Sequence, residues 1–308
     1  MKEGSRRAII AAFLANLGIA AAKLTAFLFT GAASMLAESI HSLADTGNQG
    51  LLLLGGARAR HAPTAEHPFG YGRERYFWGF VVALVLFSLG SLFAIYEGIE
   101  KVIHPKPIES PVWALAVLGI AILLEGFSFR TALKEAHAAR GSERVSLWQF
   151  VHRAKSPELP VVLLEDTAAL IGLVLALLGI GLAMLLHEPR LDAVGSIGIG
   201  VLLGLTAAVL AVEMKSLLIG EAAGTKDLAA LRAAIESAPR VRRLIHLRTL
   251  HLGPEELLVG AKLEFDAELS FAELARVIDD TEARVRAAVP IARIIYFEPD
   301  VYRGDAPP

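Results

Sequence analysis

The chain has 308 residues, a formal net charge of -2 and no cysteine, and 54% of its residues are hydrophobic. Its mean hydropathy of +0.52 is too high for a soluble protein of this length, whose surface must face water. The charge balance offers no basic surface for nucleic acid, and the absence of cysteine excludes disulfides, thiolate metal ligands and cysteine catalysis. The composition predicts a membrane protein that binds any metal through nitrogen and oxygen.

Six apolar stretches are long enough to cross a bilayer, which takes about 20 residues for about 30 Å of hydrocarbon. They cover residues 8–29, 33–57, 76–103, 111–132, 158–187 and 191–217. The first stretch continues to Phe29 without a clear cleavage pattern, so we expect a retained helix rather than a signal peptide. The sequence predicts an α-helical membrane domain of six transmembrane helices over residues 1–219.

After about residue 220 the chain mixes charged and apolar residues as a soluble domain does. Apolar residues at helical spacing mark KDLAALRAAIESA and FAELARVIDDTEARVRAAV, and strand-like runs mark LIHLRTLHL, LLVGAKLEFD and ARIIYFEP. This order predicts a small cytoplasmic α+β domain of ferredoxin-like αββαβ type over residues 220–308.

Lysine and arginine are concentrated at the amino terminus and in the connections after the second and fourth predicted helices. Cytoplasmic loops carry the excess of positive charge, so we expect cytoplasmic N- and C-termini. The chain shows no transit-peptide pattern and is short, and on these grounds we expect it in the inner (plasma) membrane of a bacterium.

The second predicted helix contains most of the informative polar residues. His41 and Asp45 are four residues apart and therefore share a face, which Asn48 and Gln49 extend. An imidazole and a carboxylate stacked in this way can supply two ligands to a divalent ion. Alternatively, they pair only with each other and hold helices together. Because a carboxylate inside a membrane is costly and usually marks an ion or proton path, we favour the functional interpretation.

Helix five adds two adjacent carboxylates, Glu165 and Asp166, which point about 100° apart. At most one of them can face directly into a pocket shared with helix two. Glu165 is also explained as a helix-entry carboxylate favoured by the amino-terminal dipole, and Asp166 is the better ligand candidate. We interpret Lys23, Glu125 and Asn16 as structural partners between helices.

These features together resemble the cation diffusion facilitator family. The resemblance rests on SIHSLADTGNQ in helix two, HPFGYGRERY before helix three, Asp166 in helix five and the αββαβ region ending in FEP. The Leu-Glu-Asp sequence of helix five is similar to the branch of the family that includes a mitochondrial zinc carrier of animals. The resemblance to the family implies a homodimeric antiporter that exports Zn²⁺ from the cytoplasm in exchange for protons, with the metal as cargo and no cofactor.

The resemblance also implies the ligands. His41 and Asp45 match the helix-two pair of zinc-transporting members, and Asp166 matches the second residue of a His and Asp pair in helix five. Val162 stands where that histidine is usual. Because a tetrahedral zinc site takes about four ligands, Glu165, Asn48, Gln49 or water would complete it. An oxygen-rich site leaves manganese, iron or cobalt open as the main substrate.

The soluble region departs from metal-binding members of the family. Ala275 and Tyr296 stand where those members carry histidine, and His246 and His251 are predicted to point to opposite faces of a strand. We therefore expect a dimerisation domain with weak or absent metal sensing.

Two other classes of function remain as alternatives. One is a membrane-embedded hydrolase using His41 with a carboxylate, although the sequence has neither Gly-x-Ser-x-Gly nor His-Glu-x-x-His. The other is a non-transporting protein whose dimeric tail recruits partners.

Overall fold

The computed structural model describes residues 3–108, 110–140 and 157–304, together with 146, 148, 149, 152, 154 and 155. The chain packs into two compact units. One holds the residues up to Ala57 together with Phe77–Lys215, and the other holds Arg58–Tyr76 and the residues from Ser216 onward. The predicted domain division between residues 219 and 220 stays a prediction.

Long helices make up the first unit. They are α1 (Glu3–Thr30), α2 (Ala33–Arg58), α3 (Glu74–Ile103), α4 (Pro111–Arg140), α5 (Glu158–Leu186) and α6 (Arg190–Ile219). Each begins and ends within a few residues of a predicted apolar stretch, except that α4 continues to Arg140 and α1 begins at Glu3. Helix α3 contains a π-helical segment, Val82–Phe87.

In the described part of the chain, four helices are long and apolar enough to cross a membrane, namely α3, α4, α5 and α6. The described side chains of α1 supply a shorter apolar segment, Leu17–Thr30. Helix α2 has the length but is interrupted by Glu38, His41 and Asp45, which lower its hydropathy. The structure thus gives a mostly helical membrane domain, and six crossings stay a prediction.

Small residues bring α3 and α6 into close contact. The Ser91 hydroxyl donates to the carbonyl of Gly200 at 2.6 Å, and the Ser196 hydroxyl donates to the carbonyl of Ala94 at 2.9 Å. A Cβ added at Gly200 would lie 2.6 Å from Ile95, so only glycine permits this approach. Such contacts replace the hydrophobic driving force that is missing between helices in lipid.

A buried carboxylate, Asp192, joins three helices at the end of the bundle where α2 begins. It accepts hydrogen bonds from the backbone amides of Ala33 at 2.7 Å and Ser34 at 3.2 Å, and from the Lys101 ammonium at 3.0 Å. Its side chain is fully buried. The carboxylate therefore satisfies the first amides of α2, pairs with α3 and belongs to the first turn of α6.

Asp192→Ala is expected to destabilise the protein by about 3–5 kcal/mol, because it leaves the Lys101 ammonium buried without its carboxylate. Thermal unfolding of the full chain in detergent measures the effect. The matched control is Glu188→Ala, which removes an exposed carboxylate from the nearby turn and is expected to change stability by less than about 0.5 kcal/mol. Equal melting temperatures for the two variants would contradict the assignment.

The second unit contains a small α/β domain. Its elements are α7 (Thr225–Glu236), β1 (Val241–Gly253), β2 (Glu256–Phe265), α8 (Phe271–Ala288) and β3 (Ala292–Pro299). The sheet order is β1-β2-β3, with β1 and β2 antiparallel and β2 and β3 parallel. The αββαβ order predicted from sequence is confirmed.

One face of the sheet forms the core with α7 and α8. The odd-numbered residues Leu257, Val259 and Leu263 of β2 are fully buried there. His251 pairs with Leu257 and is buried, whereas His246 pairs with Lys262 of the opposite face. The two histidines therefore lie on different faces of the sheet and cannot share an ion within one copy of the chain.

Helix α8 begins with a capping box. The Ser270 hydroxyl accepts from the Glu273 amide, and the Glu273 carboxylate accepts from the Ser270 amide at 2.9 Å. The Ser270 hydroxyl also donates to the Glu273 carboxylate at 2.6 Å, and this bond, together with the one from the Ser270 amide, holds the pKa of Glu273 below its usual value. The pair satisfies two amides that a helix start otherwise leaves without partners.

Candidate metal centre

Among the buried polar side chains of α2, those with a carboxylate, imidazole or amide group lie on one face inside the first unit. Glu38, His41, Asp45 and Asn48 are spaced at i, i+3, i+7 and i+10, which confines them to an arc of roughly 80° around the helix. Glu38 and Asn48 are fully buried, His41 is 1% exposed, and the Asp45 side chain is 13% exposed. We call this set the α2 stripe.

The structure brings His41 and Asp45 together. The Nδ1 atom of His41 lies 3.5 Å from Oδ1 of Asp45, one helical turn away. In Asn48, the next member of the α2 stripe, neither the side-chain nitrogen nor the oxygen has a hydrogen-bond partner among the described residues. A cation that entered between Asp45 and Asn48 would thus find oxygen atoms that no protein donor occupies.

The two carboxylates of α5 behave differently. Glu165 is 4% exposed, and its Oε1 atom has no hydrogen-bond partner in the described part of the chain. Asp166 is half-buried and accepts a hydrogen bond from the Ser128 hydroxyl of α4 at 3.1 Å. The charge of Glu165 interacts with that of Asp45. Asp166 is thus turned to α4, and Glu165 is the more deeply buried of the two.

Side chains of the described residues do not form a completed metal site. No group of three histidine, aspartate or glutamate side chains within these residues is arranged to hold an ion. Of the five predicted ligands, His41 and Asp45 are in contact, Asn48 and Glu165 are buried, and Asp166 is bonded to Ser128. The predicted ligand set therefore stays a prediction.

Val162, at the position where zinc-transporting members carry histidine, contributes to packing. It lies against an apolar cluster that contains Leu163 of α5 and Ala132 and Ala136 of α4. A side chain in this cluster supports the contact between the two helices and supplies no ligand.

The Glu38 carboxylate of α2 lies against Gly172 of α5, and this contact shows which residues of the two helices lie at the same depth in the bundle. A Cβ added at Gly172 would lie 2.4 Å from the Oε1 atom of Glu38, so α5 leaves room for this carboxylate only because residue 172 is glycine. Asp45 is seven residues after Glu38, and Glu165 is seven residues before Gly172. The helices are antiparallel, since the start of α2 is bound to Asp192, just beyond the end of α5. Both intervals span about 10.5 Å, which places Asp45 and Glu165 at about the same depth.

Glu38 is the residue that the sequence analysis missed. Its Oε2 atom accepts from the Lys23 ammonium of α1 at 3.0 Å, and the same ammonium donates to the Ser42 hydroxyl at 2.8 Å. The interpretation of Lys23 as an interhelical partner agrees with this contact. The available signal for Glu38 was its position three residues before His41, on the same helical face.

We expect Gly172→Ala to reduce ion flux at least tenfold, because the new methyl group displaces the buried Glu38 carboxylate from its position beside α5. The matched control is Gly181→Ala on the same helix, where an added Cβ meets nothing within 4 Å. Flux into liposomes and the melting temperature should both be close to wild type in the control. Equal transport by the two variants would contradict the close approach.

A bundle of apolar helices with a buried polar stripe, followed in the chain by a small α/β domain, is typical of membrane transport proteins. The comparisons with known proteins identify the family. Residues 9–219 match the cation efflux transmembrane domain, and residues 224–300 match the cytoplasmic domain of cation efflux proteins. The chain belongs to the cation efflux family of transporters.

Curated relatives place the match within this family. The chain is 35% identical over 247 residues to the mitochondrial proton-coupled zinc antiporter SLC30A9 of Xenopus laevis, covering 80% of this chain and 44% of the relative. The human SLC30A9 is 33% identical with the same coverage. Metal tolerance protein C4 of Arabidopsis thaliana is 29% identical over 265 residues, 86% of this chain and 58% of the relative. The chain thus spans less than half of the length of the SLC30A9 relatives. The predicted resemblance to the SLC30A9-like branch is confirmed.

The comparisons correct two interpretations. The prediction of the inner (plasma) membrane is wrong, because the SLC30A9 relatives carry mitochondrial names. The assignment was based on the missing transit-peptide pattern and the short chain, and neither property reports which membrane a helical domain occupies. The hydrolase alternative is wrong as well, because the family and these relatives are transporters and the chain is not an enzyme.

Proposed function

We propose that the chain exports Zn²⁺ across its membrane in exchange for protons, by alternating access through the α2 stripe. The observation that carries the proposal is the burial of His41 in contact with Asp45 inside an apolar bundle. Buried ionisable groups in a membrane domain mark ion or proton pathways. The SLC30A9 relatives are named proton-coupled zinc antiporters, which supports zinc as cargo and protons as the counter-substrate.

In the proposed bound state, His41 and Asp45 supply one nitrogen and one oxygen, and α5 supplies a carboxylate from Asp166 or Glu165. The Asn48 amide oxygen completes the shell. If Asp166 is the ligand, it must leave the Ser128 hydroxyl and turn toward α2, which requires a change in the contact between α4 and α5.

Proton coupling follows from the chemistry of the ligands. Imidazole and carboxylate groups bind metal only when the binding atoms are deprotonated, so metal binding releases protons and reprotonation releases metal. Alternating access lets the two exchanges take place on opposite sides of the membrane. The protein would bind the cation on the side that carries the α/β domain and release it on the other.

The remaining organisation is part of the same proposal. All six long helices would cross the bilayer, with α2 shielded from lipid by its neighbours, which is how a polar helix is tolerated there. The transport domain would end at residue 219, and residues 220–308 would form the dimerisation domain of a homodimer. The match of residues 224–300 to the family's cytoplasmic domain supports this assignment.

A second candidate cargo follows from the ligand set. One nitrogen and several oxygens form a harder site than the usual zinc pocket, which favours Mn²⁺, Fe²⁺ or Co²⁺ more than a nitrogen-rich site would. Competition by each ion against Zn²⁺ in one flux assay distinguishes these cargoes.

Asp45→Ala is expected to reduce Zn²⁺ uptake into proteoliposomes at least a hundredfold, because it removes a proposed metal ligand from the middle of the α2 stripe. The assay uses the purified full chain, an imposed pH gradient and a zinc-sensitive dye inside the vesicles. Asp280→Ala, which removes an exposed carboxylate from α8, is the matched control and should leave the rate unchanged. Undiminished uptake by Asp45→Ala would overturn the proposal.

A further inference from the structure

A fully buried lysine, Lys23, lies beside the α2 stripe. Its ammonium donates to Oε2 of Glu38 at 3.0 Å and to the Ser42 hydroxyl at 2.8 Å, and its side chain has no exposed surface. Removing an ammonium from water into a low-dielectric interior costs several kcal/mol unless partners are held in good geometry. A positive charge at this position is therefore a costly feature that the bundle maintains.

The position of the ammonium is fixed relative to the proposed ligands. Glu38 and Ser42 are four residues apart on α2, so Lys23 bridges one turn of that helix. Around the helix axis, Asp45 is roughly 20° and His41 roughly 60° from Glu38. Lys23 thus lies next to the face on which the cation would bind. Its charge also interacts with His41, Asp45 and Glu125.

Carboxyl groups around this region outnumber the ammonium among the described side chains. Asp45 and Glu125 interact electrostatically with each other, with Glu38 and with Glu165, and Lys23 interacts with Glu38, Asp45 and Glu125. When the path is empty, this ammonium supplies the positive charge that these carboxylates otherwise lack. When a divalent ion is bound, the ion supplies this positive charge instead, and the Lys23 ammonium repels the ion.

We propose that Lys23 is the built-in counter-ion of the empty cation path. It balances the carboxylates of the α2 stripe when no metal is bound, and its repulsion limits metal affinity so that the ion can leave. Lys23 does not bind the metal and acts only through its charge. This inference rests on the proposed function, since it needs a divalent ion at His41 and Asp45.

Glu38 has a defined part in this arrangement. Its Oε2 atom holds the ammonium, while its Oε1 atom lies against Gly172 and has no hydrogen-bond partner among the described residues. The carboxylate therefore keeps Lys23 on one side of the stripe and cancels part of its charge. Without this carboxylate, the full charge of the ammonium would act on the bound cation.

The counter-ion role predicts effects of opposite sign at the two members of the pair. Lys23→Met should bind Zn²⁺ about tenfold more tightly than wild type, because one positive charge near the site is removed. Glu38→Gln should bind about tenfold more weakly, because the ammonium loses its balancing carboxylate. A pair that only joins α1 to α2 would weaken binding in both variants. Isothermal titration of the full chain in detergent with zinc chloride measures the dissociation constants.

Two further variants keep the test decisive. Lys101→Met removes another buried lysine, paired with Asp192, and is the matched control whose zinc affinity should stay within about twofold of wild type. The Lys23→Met/Glu38→Gln double variant leaves neither member of the pair as an unpaired charge, so it should fold even if a single variant does not. Its expected dissociation constant is within about threefold of wild type, because the two charges removed have opposite signs.

Zinc binding by Lys23→Met that is equal to or weaker than wild type would overturn the counter-ion proposal, as would a tenfold loss in the double variant. Asp45→Ala separates this failure from failure of the proposed function. If wild type and Asp45→Ala bind zinc equally, the site itself is wrong. If binding depends on Asp45 but Lys23→Met is no tighter, only the counter-ion proposal fails.

Discussion

Burying a charge in an apolar environment is the constraint on which this structure depends. A carboxylate or an ammonium inside a membrane domain persists only when an opposite charge or a set of hydrogen bonds compensates for lost water. Among the described residues of the first unit, two such ion pairs are Lys23 with Glu38 and Lys101 with Asp192. Both involve α2, one through a side chain in its first half and the other through its first backbone amides. The most polar of the long helices is therefore held in place by charges from its neighbours.

The two ion pairs differ in whether nearby oxygen atoms are left without hydrogen-bond partners. Asp192 is saturated by two amides, a hydroxyl and an ammonium, so it fixes the start of α2 and offers nothing to a ligand. Around Glu38, by contrast, carboxylate oxygens of Glu38 and Glu165 and the amide group of Asn48 have no hydrogen-bond partner in the described part of the chain. Unsatisfied oxygens in a membrane interior are costly, and a divalent cation bound near Asp45 would stabilise those of Asn48 and Glu165. The start of α2 is thus fixed by hydrogen bonds, and the middle of the helix is suited to binding a cation.

The helices, the αββαβ order and the shared face of His41 and Asp45 could be predicted from the sequence, because each depends on residues that are close together in the chain. Long apolar stretches predicted the helices to within a few residues at most ends, and alternating patterns predicted the αββαβ order. The spacing of His41 and Asp45 alone placed them on one face.

What the sequence could not provide were contacts between distant segments. The rotamer of Asp166 toward Ser128, the pairing of Lys23 with Glu38 and the close approach at Gly172 all depend on how helices pack, and no periodicity encodes that. Crossing of the bilayer by α2 is hard to infer for a related reason, since the same polar residues that suit transport reduce its hydropathy.

The central claim is that a divalent cation binds between α2 and α5 at His41 and Asp45. Anomalous scattering at the zinc absorption edge, measured on crystals of the full chain grown with Zn²⁺, tests it most directly. We expect a peak about 2.0–2.2 Å from a His41 nitrogen and an Asp45 oxygen, with a carboxylate of α5 at a similar distance. A transport-active protein whose zinc peaks all lie away from His41 and Asp45 would contradict it.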